Sequence, residues 1–147
     1  SFCILFLVIV ICISLWLPLF LSSCVCFVYD QKTWTEALSY CREKYTDLAT
    51  IEDMEDMKTL NDMAELSKMG AWIGLHTDLN RWRWSMSDRG FYNNGEAEFR
   101  NWSPGEPNNK ENREHCTQMY NKGLWNDRDC DSKCKAVCSY VRGEDCN

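Results

Sequence analysis

Asn101-Trp102-Ser103-Pro104-Gly105-Glu106-Pro107-Asn108-Asn109 opens, and Leu124-Trp125-Asn126-Asp127-Arg128-Asp129-Cys130 closes, the stretch whose reading decides the fold. Between them Asn, Asp, Glu, Gly and Pro are too dense for a regular helix or strand to hold most of the segment, so it reads as a long loop. A loop of that length inside a compact domain either binds something or is disordered, and Trp102, Trp125, Cys116 and Cys130 argue against disorder. Oxygen-bearing side chains gather at Glu106-Pro107-Asn108 and at Asn126-Asp127, with Glu114 two residues before Cys116. Carboxylates mixed with amide carbonyls suit Ca²⁺, a hard cation that takes about six to eight oxygens.

Glu-Pro-Asn, a Glu two residues before a Cys, and Trp-Asn-Asp, in this order and spacing, resemble the C-type lectins. The resemblance extends from Phe27 to Val141 and adds Trp72-Ile73-Gly74-Leu75 and four framework cysteines. It implies an α+β fold of two helices packed on small antiparallel sheets, stapled by disulfides and topped by a calcium loop. It assigns Glu106, Asn108, Glu114, Asn126 and Asp127 as side-chain ligands of one Ca²⁺, and a cis bond before Pro107. It also implies that Glu106, Asn108, Glu114 and Asn126 meet two vicinal sugar hydroxyls. Each hydroxyl would give a lone pair to the ion, a proton to a Glu and an acceptor to an Asn amide. Glu-Pro-Asn, rather than the family's galactose-type Gln-Pro-Asp, points to glycans of the mannose, N-acetylglucosamine and fucose class. Asn109 and His115 stand where some members carry acidic residues of an auxiliary site, so a second ion is not expected. His115 is read as an exposed spectator, with pH sensitivity near about pH 6 as the alternative.

One domain with an ordinary core fits 147 residues. Seven Trp residues are many for that size and read as core plates. The formal charge of −6 lies entirely after Tyr29, and without a Lys/Arg cluster it excludes nucleic acid as a partner. Ten Cys residues suit an oxidising compartment, so a secreted, extracellular location is expected.

Residues 1–26 are apolar and read as a signal peptide, with 27–147 as the lectin domain; small residues at Ser22, Ser23 and Cys24 supply cleavage positions. The alternative is an uncleaved anchor that holds an extracellular domain at the membrane. The chain opens without Met and without a basic stretch, so charge does not set an orientation.

Along the domain, Phe27-Val28-Tyr29 reads as the first strand and Thr33 to Glu36 as a capping box. Trp34, Ala37, Leu38, Cys41 and Tyr45 form the apolar face of the helix that this box opens. Thr50 is expected to open a second helix with Met57, Leu60 and Ala64 inward and Gly70 at its end, its Met residues filling core. Ala71 to Leu75 reads as a buried strand with His76 at its end, and Trp82-Arg83-Trp84 as a half-exposed strand beside solvated Arg81 and Arg89. Asn101-Trp102-Ser103 matches the glycosylation pattern, but Trp102 and Pro104 make its use unexpected.

Six cysteines come after Phe27, and sequence alone leaves their pairing open. The resemblance implies Cys41–Cys138 and Cys116–Cys130. Cys134 and Cys146 remain, to pair with each other, with Cys24 or Cys26, or across chains into an oligomer. The Cys130, Cys134 and Cys138 spacing lacks the second knuckle of a zinc site. No nucleophile with a base, and no metal water with a proton acceptor, is legible, so the expectation is recognition and not catalysis. A calcium-independent domain that binds a protein ligand is the alternative, and an ice-binding descendant of the fold is a third class. The family also suggests immune recognition.

Overall fold

The structure is a computed structural model that describes residues 23–62, 70–89 and 97–141. Its elements are β1 (Ser23–Lys32), α1 (Trp34–Lys44), β2 (Asp47–Leu48), α2 (Met54–Asp62), β3 (Ala71–Asp78), β4 (Arg81–Trp84), β5 (Glu114–Tyr120), β6 (Leu124–Asp129) and β7 (Cys134–Val141). Residues 1–22, most of the expected leader, lie outside the described residues. β1 begins at Ser23 and pairs with β7 from there, so it overlaps the end of that leader. Among the described residues no helix is long and apolar enough to cross a membrane.

The α+β architecture stands, and its strands join in one network. The order is β1-β7-β3-β5-β6, with β2 on β7 and β4 on β3. Every pairing is antiparallel except that of β7 with β3, which is parallel through Ala71↔Lys135 and Trp72↔Ala136. The last strand returns between the first strand and β3, so the expected small sheets fuse.

Alternation divides the core between two faces. Val25 and Phe27 pack with Ile73, Leu75, Trp84, Met119 and Trp125 on one face. Val28 packs with Trp34, Ala37, Cys41, Trp72 and Cys138 on the other. Each fully buried side chain of this size contributes about 1.5–3 kcal/mol, so these clusters dominate stability. Their indoles also anchor backbone, as Trp34 Nε1 donates to Ile73 O at 2.9 Å and Trp72 Nε1 to Lys32 O at 2.8 Å.

α1 starts on the expected capping box: Glu36 N donates to Thr33 Oγ1 at 3.2 Å and Thr33 N to Glu36 Oε2 at 2.8 Å. Cys41–Cys138 then ties its last turns to β7. α2 departs from expectation. It begins at Met54, because Asp53 Oδ1 accepts from both Glu55 N and Asp56 N at 2.9 Å, and a carboxylate one residue before the helix outcompetes the hydroxyl of Thr50. Met57 fills core, whereas Met54 is 61% exposed. Met63, Ala64 and the expected stop before Gly70 fall outside the described residues.

β3 is longer than expected, because β4 pairs with it as far as Asp78 and the chain reverses only at Leu79-Asn80. His76 is therefore inside the strand, its ring 4.8 Å from that of Trp34. The sequence gives no sign of a further feature, a buried charge. Asp47 is fully buried and satisfied by Arg42 Nε at 2.9 Å, Leu48 N at 2.8 Å and Ser85 Oγ at 2.5 Å. These bonds lock α1, β2 and the turn after β4 together.

Candidate functional site

The expected long loop is shorter than its composition suggests, because β5 and β6 take up most of 114–129 as a strand pair, and the part from 101 to 113 is zipped to β6 at its base. Trp125 N donates to Asn101 O at 2.9 Å and Ser103 N to Trp125 O at 2.8 Å. Trp102 lies 4.7 Å from Trp82 and 5.9 Å from Trp125, ring centre to ring centre, so an aromatic stack forms the floor. Asn101 Nδ2 donates to Gly123 O at 2.7 Å, which occupies the amide that glycosylation would need.

Above this floor Glu106 N donates to Ser103 O at 2.9 Å, closing a turn with Pro104 second and Gly105 third. Gly105 has φ +87°, a conformation that type II turns place on glycine. The Glu106–Pro107 bond is cis, as the resemblance implied.

Asp127 organises the chain just past Pro107. Its carboxylate is fully buried and accepts Asn108 N at 3.0 Å and Asn109 N at 2.6 Å. Asn108 Nδ2 donates to Glu106 Oε1 at 2.8 Å, which holds the two expected sugar-facing side chains together. Lys110 N donates to both Asn108 Oδ1 at 2.9 Å and Glu114 Oε2 at 3.0 Å. Asn109, notable in the sequence only for its missing charge, returns from its side chain to cap Glu114 N at 3.1 Å. Asn109, Glu111 and Asn112 take φ of +44°, +57° and +57°, and Asn tolerates that region better than most residues. The Cys116–Cys130 bridge closes the segment behind the site, and Cys130 O accepts Trp34 N at 2.9 Å.

Four of the expected ligands, Glu106, Asn108, Glu114 and Asp127, thus lie in one hydrogen-bonded net. Asn126 immediately precedes Asp127 in β6, paired with Gln118. Among the described residues no three carboxylate, imidazole or thiol groups converge on one point. The donor chemistry nonetheless fits a hard cation. Burial and the neighbouring Asp127 carboxylate push the Glu106 carboxyl above its ordinary value, and a divalent ion between two such groups removes that cost.

His115 is exposed yet engaged at both nitrogens, with Nδ1 3.0 Å from Thr77 Oγ1 and Nε2 3.2 Å from Asn112 O. A carbonyl can only accept, so Nε2 donates to it, and Nδ1 pairs with the hydroxyl. The ring ties the β3–β4 hairpin to the loop, a role its sequence position did not reveal.

A family model described as the lectin C-type domain matches residues 30–140. E-selectin of Canis lupus familiaris is 39% identical over 114 residues, covering 74% of this chain and 18% of that protein. L-selectin of Bos taurus is 32% identical over 124 residues, covering 80% and 32%. The chain spans about a fifth of the length of the E-selectins it matches. Among solved structures, the cow C-type carbohydrate-recognition domain of CD23, in the presence of a GlcNAc2Man3 oligosaccharide, superposes with a TM-score of 0.71 at 30% identity, over 84% of this chain and 92% of that one. A calcium-independent type II antifreeze protein superposes with a TM-score of 0.69 at 23% identity, over 84% and 90%, and shares the fold.

Proposed function

The chain belongs to the C-type lectin domain family, and from that premise we propose that it binds glycans of the mannose, N-acetylglucosamine and fucose class through one Ca²⁺ held by Glu106, Asn108, Glu114, Asn126 and Asp127. That it is a carbohydrate-binding domain and not an enzyme follows from the family; the ion and the sugar class are the proposal. The observation that carries it is the Glu106–Asn108 pair, side chain to side chain, over the buried carboxylate of Asp127. The CD23 domain, with its mannose- and N-acetylglucosamine-containing oligosaccharide, is a precedent for the class.

When bound, the ion supplies an anchor for two adjacent sugar hydroxyls. Glu106 and Glu114 accept the hydroxyl protons, and the amide groups of Asn108 and Asn126 donate to the hydroxyl oxygens. Asp127 holds the backbone of 108 and 109, so that the donor and acceptor of the pair keep a fixed order. A fixed order selects ring stereochemistry. Because one exposed site buries little sugar, a single domain binds weakly and useful avidity comes from several copies.

The domain acts outside the cell, where its disulfides persist. Because β1 starts at Ser23, leader removal that keeps the strand whole falls before that residue.

Exchanging donor for acceptor tests the reading. Glu106→Gln with Asn108→Asp is expected to shift preference from mannose to galactose by roughly tenfold or more, about 1.4 kcal/mol, in competitive elution. Unchanged preference would show that another surface recognises the ligand. One observation favours a second reading, a calcium-independent domain for a protein ligand: Asp127 and Asn109 already hold the loop by hydrogen bonds. Binding that survives EDTA would select it.

A further inference from the structure

Among the described side chains three sulfurs share one face where β1, β7 and α1 meet, and two of them are bonded. Cys41 and Cys138 form the bridge, with Cα atoms 5.3 Å apart. Cys26 is a free thiol, half-buried, and lies directly across from Cys138 in the β1–β7 ladder. Its neighbours Val25 and Phe27 turn to the opposite face, while Val28 joins the cluster that contains Cys41 and Cys138. Alternation therefore puts Cys26 on the side of the bridge. Tyr45 confirms the placement: its hydroxyl is 2.9 Å from Cys26 Sγ, and its N–H donates to Cys41 O at 2.8 Å.

Directly opposed residues of an antiparallel pair have Cα atoms about 4.5–5.5 Å apart. A disulfide spans about 4.4–6.8 Å. Among the described side chains Cys138 thus has two partners within bridging reach, one on the helix and one on the adjacent strand. Cys134 is no competitor, being 4% exposed and opposite Lys32 at the far end of β1.

We propose that Cys138 exchanges between them. The Cys26 thiolate attacks Cys138 Sγ, a Cys26–Cys138 bond forms as the Cys41–Cys138 bond breaks, and Cys41 leaves as a thiolate that takes up the proton Cys26 gave to solvent. Nothing is oxidised or reduced overall. The Tyr45 hydroxyl can donate to the attacking thiolate. The exchange moves the staple from helix-to-sheet to strand-to-strand and releases α1, whose first residue bonds Cys130 behind the binding loop. The bridge is thereby a conformational control on the support of the glycan site.

The test is to hold the oxidised, folded chain at about pH 8, where thiols begin to ionise, and sample with time into acidic denaturant with N-ethylmaleimide. Trypsin cuts after Lys32, Arg42 and Lys135, which puts Cys26, Cys41 and Cys138 in different peptides, and fragmentation of the first peptide distinguishes Cys26 from Cys24. A Cys41-labelled species with a Cys26–Cys138 bridge is expected to grow in, and to be lost completely in Cys26→Ser. Cys26 labelled and Cys41 unlabelled throughout, with Cys138 always joined to Cys41, would overturn the proposal. A Cys41→Ser chain in a glutathione buffer checks it independently: a Cys26–Cys138 bridge supports the exchange, and full labelling of both thiols in a folded chain refutes it.

Discussion

α1 and the 101–113 loop hold their glutamates in opposite ways. Glu36 accepts from Lys133 Nζ at 2.7 Å and from Thr33 N, and these bonds pull its carboxyl down to about 2. Glu106 adjoins a buried carboxylate, and its own carboxyl is pushed up. The helix is electrostatically complete within the chain. The loop concentrates acids, Glu106, Glu114 and Asp127, in one net, an arrangement that suits a ligand of positive charge. Local stability and the proposed binding site are thus separated in space.

The largest expected effect removes the staple on the helix side. Cys138→Ser deletes either possible bridge, and closing a separation of 97 residues is worth about 4–5 kcal/mol by the chain-entropy argument, read as a lower denaturation midpoint. A loss under about 1 kcal/mol would mean that apolar packing alone secures α1. Next comes Asp127→Ala on the loop side. It strands two backbone N–H groups, costs about 3 kcal/mol and abolishes glycan retention. Retained binding would show that Asp127 does not organise the site.

How much of this contrast is legible in the sequence depends on the range of the interactions. The capping box at Thr33, the inward face of Trp34, Ala37 and Cys41, and the cis bond before Pro107 are set by residues close in sequence or by a recognised motif. The buried Asp47–Arg42 pair depends on Ser85, distant along the chain, so composition gives no sign of it. Asn109 shows the same limit at the site. Its contribution is a backbone N–H to Asp127 and a cap on Glu114, neither visible in its side-chain type. The start of α2 is ambiguous in the sequence because Thr50 and Asp53 are both good caps, and only the fold decides between them.

The smallest effects are pH-dependent and of opposite sign. Glu36 has a folded value below its ordinary 4.5, so its stabilisation is present above 4.5 and is lost as pH falls towards about 2. Glu106 has a folded value above 4.5, so its contribution is complete below 4.5 and is lost as pH rises through the raised value. Melting curves without calcium are expected to show a flatter acid limb in Glu36→Gln and a flatter slope just above pH 4.5 in Glu106→Gln. Identical profiles in both variants would erase the contrast. With calcium present the loop reverses sign, since proton and ion compete for Glu106 and retention falls as pH drops.

The most direct measurement is retention of the folded domain on immobilised mannose in millimolar-range calcium, followed by EDTA. The expected result is retention that EDTA releases, with the Glu106→Gln, Asn108→Asp double variant passing through the mannose column. Retention that EDTA leaves intact, or a folded domain that takes up calcium and binds no sugar of the mannose class, would contradict the assignment of the loop as a calcium-bridged glycan site.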